Sequence, residues 1–330
     1  MMTASKLRNF DARQKLVLTY DNKAKTDGAG AQLQRVYATY SVSRLLGVPY
    51  LHSPLARLNY QGLKGWEEGR RDPGAHDYFN DLFHIKSDVA PTDDFHRLSL
   101  PDISLDIVEQ LVAMWDRGET NGKPILAELA VPYGVADRFP DCYEVCKEIS
   151  PFVPSPREGR TLRVAIHVRW GNLLFRAPHR LLPNSYYISV TRALADLFDG
   201  LKFDYEFDLY TEVPTRTFIV ASDPQGIYNS EPITVTPETY EEMYRFSDFS
   251  VIPNLVHRTN VGPIDCMRGF ATADVLVISR SSFSFVGGIL NRSAVVLYHP
   301  FWHRAPSSWI AVDTNGQFDR LRAREAVQTL

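Results

Sequence analysis

The sequence predicts an α/β protein made of two Rossmann-like halves that face a cleft. Three observations carry that reading. Strand and helix signals alternate before residue 150, and they alternate again after residue 160. Between the two runs lies SPFVPSPREGR (150–160), with three prolines, a glycine and charges, the composition of a linker. Alternating elements argue parallel sheets covered by helices. At 330 residues the chain is long enough for two cores. The expected division is residues 1–155 and 156–330.

The elements follow in order. KLVLTY (15–20) is apolar, β-favouring and closed by a polar loop, so it reads as a strand. In AQLQRVYATYSVSRLLG, Leu33, Val36, Tyr37, Tyr40, Val42, Leu45 and Leu46 recur at mostly helical spacing, and Gly47 stops the run. VPYLH (48–52) reads as the next strand, which completes a βαβ unit. Residues 59–100 carry no regular pattern. ISLDIVEQLVAMWDRG (103–118) is an amphipathic helix, and KPILAELAVPYG (123–134) holds a strand.

After the linker, TLRVAIHVRW is a strand and SYYISVTRALADLFDG (185–200) a helix closed by Gly200. FDYEFDLYTE (203–212) is a strand and TPETYEEMYRFSD (236–248) a helix; SVIPN (250–254) fits a short strand. PIDCMRGFATA (263–273) is a helix, DVLVIS (274–279) a strand, SFSFVGGILN a helix, SAVVLYHP (293–300) a strand and DRLRAREAVQTL the final helix.

Composition narrows the function classes. About 44% of residues are apolar and 23% charged, as in ordinary globular proteins, and a net charge of −3 points to neither nucleic acid nor a membrane surface. Three cysteines make no disulfide framework; Cys142 and Cys146 sit four apart, a helical spacing and not a CxxC pair. No apolar leader opens the chain, and no window of 18 apolar residues occurs. A complete chain of this kind is expected in the cytoplasm. His76, His84 and His96 lie among aspartates but form no H-x₃-H or D-x-D element, so no metal and no cofactor is expected.

Three places carry chemistry. In RVAIHVRWGN (163–172) an apolar strand ends on His167, Arg169, Gly171 and Asn172. Ligands of open α/β sheets sit outside such carboxyl ends, and a guanidinium grips phosphate bidentately. An ion pair with a surface carboxylate is the ordinary alternative. In DVLVISRSSFSFVGGIL (274–290) a buried strand runs into Ser281 and Ser282 at a helix start. Those serines cap the helix, and its first N–H groups also attract anions. The stretch lacks the G-x-S-x-G pattern of a serine nucleophile. The loop TDGAGAQL (26–33) is half a dinucleotide fingerprint without its third glycine, and Asp27, Gly28, Gly30 and Gln32 are placed to line the cleft.

Taken together, these segments resemble the fucosyltransferases of the α1,2-, α1,6- and protein O-fucosyltransferase groups. His167-Val-Arg169-Trp170-Gly171-Asn172, followed by Arg180-Leu-Leu-Pro-Asn-Ser-Tyr186-Tyr187, is similar to that family's H-x-R box and its downstream R…P…YY. Asp265 through Phe285 is similar to its D…D…S-[ST]-F-S segment, and Gly28-Ala-Gly30-Ala-Gln32 to its G-x-G-N-Q loop. The resemblance implies a GT-B-like fold and an inverting, metal-independent transfer of fucose from GDP-fucose to a carbohydrate or protein hydroxyl. The second domain would hold the donor and the first the acceptor.

By matching position, Arg169 would hold the diphosphate, with His167 beside it. Asp265 would read guanine N1–H and the exocyclic amine. Ser281, Ser282 and Phe283 would meet the phosphates, and Glu212 would sit on a second nucleotide loop. Trp170 stands where the α1,2 and α1,6 groups have a second Arg, which the O-fucosyl group does without, and Asn172 stands where Asp is usual. No base is assigned by matching; Asp27 is the candidate. Other readings are a GT-B enzyme for another nucleotide sugar, a nucleotide-sugar-binding pseudoenzyme and, less well matched, a dinucleotide oxidoreductase.

Overall fold

The computed structural model describes residues 14–23, 28–58, 75–83, 85–134, 141–153, 161–171, 178–220, 231–292 and 294–330. The chain forms two compact units. The first holds the described residues up to Leu58 and from 75 to Pro151, together with His303–Ser307; the second holds Phe152–Trp302 and Ser308–Leu330. Each has its own parallel sheet, so the α/β class holds.

In the first unit, β1 (Leu16–Tyr20), β2 (His96–Leu100) and β3 (Ile125–Leu129) form a parallel sheet in the order β1-β3-β2. The strand expected at 48–52 is reduced to one parallel bridge, Tyr50 with Leu18. Leu18 bonds to the Pro49 carbonyl and the Leu51 N–H at 3.0 and 2.9 Å, and the outward Tyr50 N–H donates to Asp88, which Arg44 grips at 2.7 and 3.0 Å. Helix α1 (Ala29–Leu46) ends on Gly47 in the left-handed conformation, as its sequence predicts. It is buried nearly all round, so its polar residues need internal partners. Gln34 donates to the Tyr143 hydroxyl at 2.6 Å, and Ser41 meets the Cys146 thiol at 3.1 Å. Helices α2 (Ala75–Leu82) and α3 (Leu105–Asp116) complete the unit, with a 3₁₀ turn at Cys142–Lys147. Burial pushes the Cys142 thiol up and raises Cys146 to about 12, so neither is a nucleophile.

The second unit is built on six parallel strands: β4 (Leu162–His167), β5 (Tyr205–Thr211), β8 (Leu255–Thr259), β9 (Val275–Ile278), β10 (Val295–Tyr298) and β11 (Ile310–Ala311). An antiparallel hairpin, β6 (Phe218–Val220) and β7 (Ile233–Val235), is inserted after β5. Its helices are α4 (Asn184–Leu201), α5 (Pro237–Tyr244), α6 (Pro263–Thr272), α7 (Ser282–Leu290) and α8 (Arg320–Gln328). Val164, Ile166, Phe207, Leu209, Val275 and Val277 are closed from water on one face and Ala165, Leu276 and Ile278 on the other, so the sheet is covered on both.

Two expected boundaries move. Helix α4 passes through Gly200 and is closed by Lys202 in the left-handed region. Residues 246–251 form a 3₁₀ turn after α5, and the strand falls on 255–259, beyond the expected 250–254. Thr236 and Thr239 form a reciprocal cap that fixes where α5 begins.

The sheet order is β11-β10-β9-β4-β5-β8. From β4 the chain lays β5 and β8 to one side; it then returns and lays β9, β10 and β11 to the other. The direction of winding therefore reverses between β4 and β9. In open α/β sheets the carboxyl ends at such a reversal form the ligand crevice.

Candidate functional site

Beyond β4 the backbone is fixed before any side chain acts. The Val168 N–H donates to the Tyr210 carbonyl at 2.9 Å, and the Thr211 hydroxyl donates to the Val168 carbonyl at 2.8 Å. The Tyr187 hydroxyl bonds to the Arg169 backbone, and the Tyr240 hydroxyl to the Gly171 backbone and the Glu212 carbonyl, the latter at 2.9 Å. Two buried phenols from α4 and α5 thus hold the segment from below.

Trp170 belongs to that support. It is 2% exposed and stacks on Tyr244 with centroids 4.6 Å apart, edged by Tyr240 and Phe246 and packed on Phe249. An arginine here would be buried among aromatic rings without a counter-ion. Trp170 is therefore a core residue of this unit.

Arg169 and Glu212 extend past the neighbouring strands β4 and β5, with Nη1 and Oε2 3.7 Å apart and each side chain about a quarter exposed. That separation makes an ion pair without a short hydrogen bond between the two groups. Gly171 makes the arrangement possible. Its φ is +49°, and a Cβ there would sit 2.6 Å from Arg169 Nη1 and 2.8 Å from Glu212 Oε2.

His167 closes β4 as a buried group. Its Nδ1 lies 2.9 Å from the Ser279 hydroxyl at the end of β9, which ties together the two strands that flank the reversal. Its ring packs on Phe270 and Phe283, at 5.1 and 6.3 Å. Burial, reinforced by the Arg169 charge, lowers its pKa to about 3. The imidazole is neutral at working pH, so it can offer a phosphate a hydrogen bond and no charge.

The remaining candidates lie around these strand ends or outside the described residues. Ser281 caps α7, accepting the Phe283 N–H at 3.3 Å. Ser282 and Phe283 are half-buried in the first turn. Asp265, in the first turn of α6, is 61% exposed and paired with Arg268 on its own helix at 2.6 Å. Asn172 and Asp27 lie outside the described residues, as does His84.

In the first unit, Gly28 is the N-cap of α1, and the helix starts at Ala29, inside what the sequence suggested was loop. Gly30 and Gln32 are therefore helical and buried, and Gln32 Nε2 donates to the Arg57 carbonyl at 2.7 Å. Among the described residues no group of three or more His, Cys, Asp or Glu side chains is placed to hold a metal ion, and no helix is long and apolar enough to cross a membrane.

One residue at this edge escaped the sequence reading. Arg280 follows β9 as Arg169 follows β4, two residues past the strand end. The signal was present in VLVISRSS, an apolar strand running into a cation, but the neighbouring serines give the stronger helix-start pattern.

No family model matches the chain, and no curated protein matches it. Among solved structures it is similar to the E. coli heptosyltransferase WaaC with ADP, at TM-score 0.38 and 9% identity over 96% of this chain and 97% of that one. It is also similar to the iron-containing dodecameric glycosyltransferase TibC from enterotoxigenic E. coli, at TM-score 0.33 and 8% identity over 86% and 60% of the two chains. A third is the Methanocaldococcus jannaschii UDP-GlcNAc 2-epimerase in complex with UDP-GlcNAc and UDP, at TM-score 0.31 and 8% identity over 99% and 71%. Similarity at these scores assigns neither a fold family nor an activity.

Proposed function

We propose that the second unit binds a nucleoside diphosphate sugar at the carboxyl edge of its sheet, and that the chain is a glycosyltransferase. The observation that carries this is Arg169, a half-buried guanidinium next to the reversal of strand order, its backbone held by Tyr187 and that of the following Gly171 by Tyr240. Where a reaction expels an anion, preorganised donors aimed at the developing charge lower the barrier more than any other single effect.

The motif resemblance makes GDP-fucose the favoured donor. As the bond from the fucose anomeric carbon to the diphosphate oxygen lengthens, its electron pair leaves with GDP, and Arg169 stabilises the charge that collects on the β-phosphate. The acceptor hydroxyl attacks the opposite face, which inverts the centre. Its proton passes to Asp27 or, on an SN1-like route through an oxocarbenium ion, to the departed phosphate. His167 contributes a neutral hydrogen bond. Asp265 reads the guanine edge, while Glu212, Ser281, Ser282 and Phe283 frame the nucleotide. The first unit presents the carbohydrate or protein acceptor, and the reaction needs no metal.

A second reading, transfer from another nucleotide sugar, is favoured by the Asp265–Arg268 pair. A carboxylate already gripped on its own helix must share an oxygen before it reads a base. The test is to incubate the protein with GDP-fucose, UDP-sugars and GDP-mannose and follow nucleotide release in water. Slow GDP release from GDP-fucose, unaffected by EDTA, is the expected result. Release from a different donor moves the assignment to the second reading, and binding without release makes the chain a pseudoenzyme.

A further inference from the structure

We propose that Arg280 is a second diphosphate-binding residue, held in place by His299, so that two arginines rather than one grip the leaving group. The inference rests on the reading above of a diphosphate site at this edge. Strands β4 and β9 are hydrogen-bonded neighbours with Ile166 opposite Val277. Past that register each strand ends, and Arg169 and Arg280 each follow two residues beyond their strand, one on each side of the reversal. Tyr187 reports on both: its hydroxyl bonds to the Arg169 backbone, and its ionisation feels the Arg280 charge.

Arg280 is secured, yet not neutralised. Its Nη2 lies 2.6 Å from His299 Nε2, and its Nη1 donates to the His179 carbonyl at 3.1 Å. His299 Nδ1 lies 3.0 Å from the Val312 carbonyl. A carbonyl only accepts, so Nδ1 carries the proton and Nε2 presents its lone pair to the guanidinium. The ring is thus a neutral acceptor fixed in one tautomer, and it aims Arg280 without cancelling its charge.

No carboxylate among the described residues pairs with Arg280, and its buried Nε–H has no acceptor there. Partly buried cations are ordinarily paired, and an orphan buried donor calls for a partner. Of the guanidinium's five N–H donors, groups among the described residues take two. The remaining donors suit a phosphate's several oxygens. A purely structural arginine, tying β9 to the segment after β4 and to β10, would be expected to end on a carboxylate or on carbonyls alone.

The test measures binding of inorganic pyrophosphate, GDP and UDP by calorimetry to wild type, Arg280→Met, Arg280→Lys and His299→Gln. Circular dichroism is recorded for each, and titrations are run well below each midpoint. Loss of one charge-assisted contact predicts a rise in Kd of roughly tenfold or more for Arg280→Met, equal for pyrophosphate and nucleotide because the lost contact is to phosphate. Arg280→Lys keeps the charge without the fork and falls between. His299→Gln weakens diphosphate binding several-fold while the fold survives.

Unchanged pyrophosphate and nucleotide affinities in folded Arg280→Met overturn the inference and leave the diphosphate site intact. If Arg280→Met does not fold, wild-type affinity in Arg280→Lys and His299→Gln overturns it instead. Pyrophosphate binding that depends on Arg280, without nucleotide preference, upholds the inference and defeats the donor assignment. Wild type that binds no diphosphate defeats both.

Discussion

Replacing Gly171 with alanine separates the geometry of the site from the stability of the fold. The φ of +49° lies in the left-handed region, where an L side chain costs about 1–2 kcal/mol. For a unit of this size that is a loss of a few degrees in Tm. The new Cβ also meets Arg169 Nη1 at 2.6 Å and Glu212 Oε2 at 2.8 Å. Both atoms are the far ends of flexible side chains, so they move aside rather than break the backbone. A displaced guanidinium forfeits a charge-assisted contact of about 1.5–3 kcal/mol, roughly 10- to 100-fold in ligand affinity. Gly122 supplies the control, because its φ is +74° and nothing lies within 4 Å of its added Cβ. Gly122→Ala should carry the conformational penalty alone. Melting each variant with and without GDP-fucose, and titrating the nucleotide, gives both quantities. If Gly171→Ala binds the nucleotide as wild type does, the proposed placement of Arg169 against the ligand is wrong.

Three further substitutions bear on the same edge. Arg169→Ala should lower turnover by about 10²–10³ with a wild-type circular dichroism spectrum, as removal of one preorganised donor does; undiminished turnover refutes its role. Trp170→Arg introduces the second arginine of the α1,2 and α1,6 groups, yet it should lose about 3–5 kcal/mol by emptying the Tyr244 stack and should gain no activity, readable from urea midpoints. His167 titrates near 3 when folded and near 6.5 when unfolded, so between those values the unfolded chain binds the extra proton and stability falls as pH falls. The contribution lost is about 2 kcal/mol at pH 5. His167→Gln should shrink the drop in stability between pH 7 and pH 5 by that amount, leaving the parallel slope from His303, whose pKa burial also lowers to about 3.

Legibility in the sequence followed the length of the chain's hydrogen-bonded partners. Continuous apolar runs such as RVAIH and VLVI are strands because only a doubly covered sheet buries both faces, and their end residues can be named from the sequence. His96–Leu100 could not be read as a strand, since its half-exposed residues pair with β3 from an edge and carry no apolar run. The β6–β7 hairpin and the shift of β8 to Leu255–Thr259 likewise depend on pairing between distant segments. At the site, the box around Arg169 was visible as a motif, but the aromatic cage that makes Trp170 a core residue draws on α5 and the turn after it. Gln32 looked like a loop residue because glycines precede it, although the helix begins at Ala29 and buries it. Arg280 needed the sheet order, which alone puts the strand it follows beside the strand that Arg169 follows.

The central claim is that the second unit's strand edge holds a guanine nucleoside diphosphate sugar. Its most direct test is a thermal-shift series with GDP, GDP-fucose, UDP, CMP and NAD, each with and without EDTA. Ligand at about 100 times its Kd adds roughly 2.7 kcal/mol, a shift of several degrees. A rise with GDP and GDP-fucose alone, indifferent to EDTA, is the predicted result. No response to the guanine ligands, with UDP or NAD stabilising instead, would contradict it.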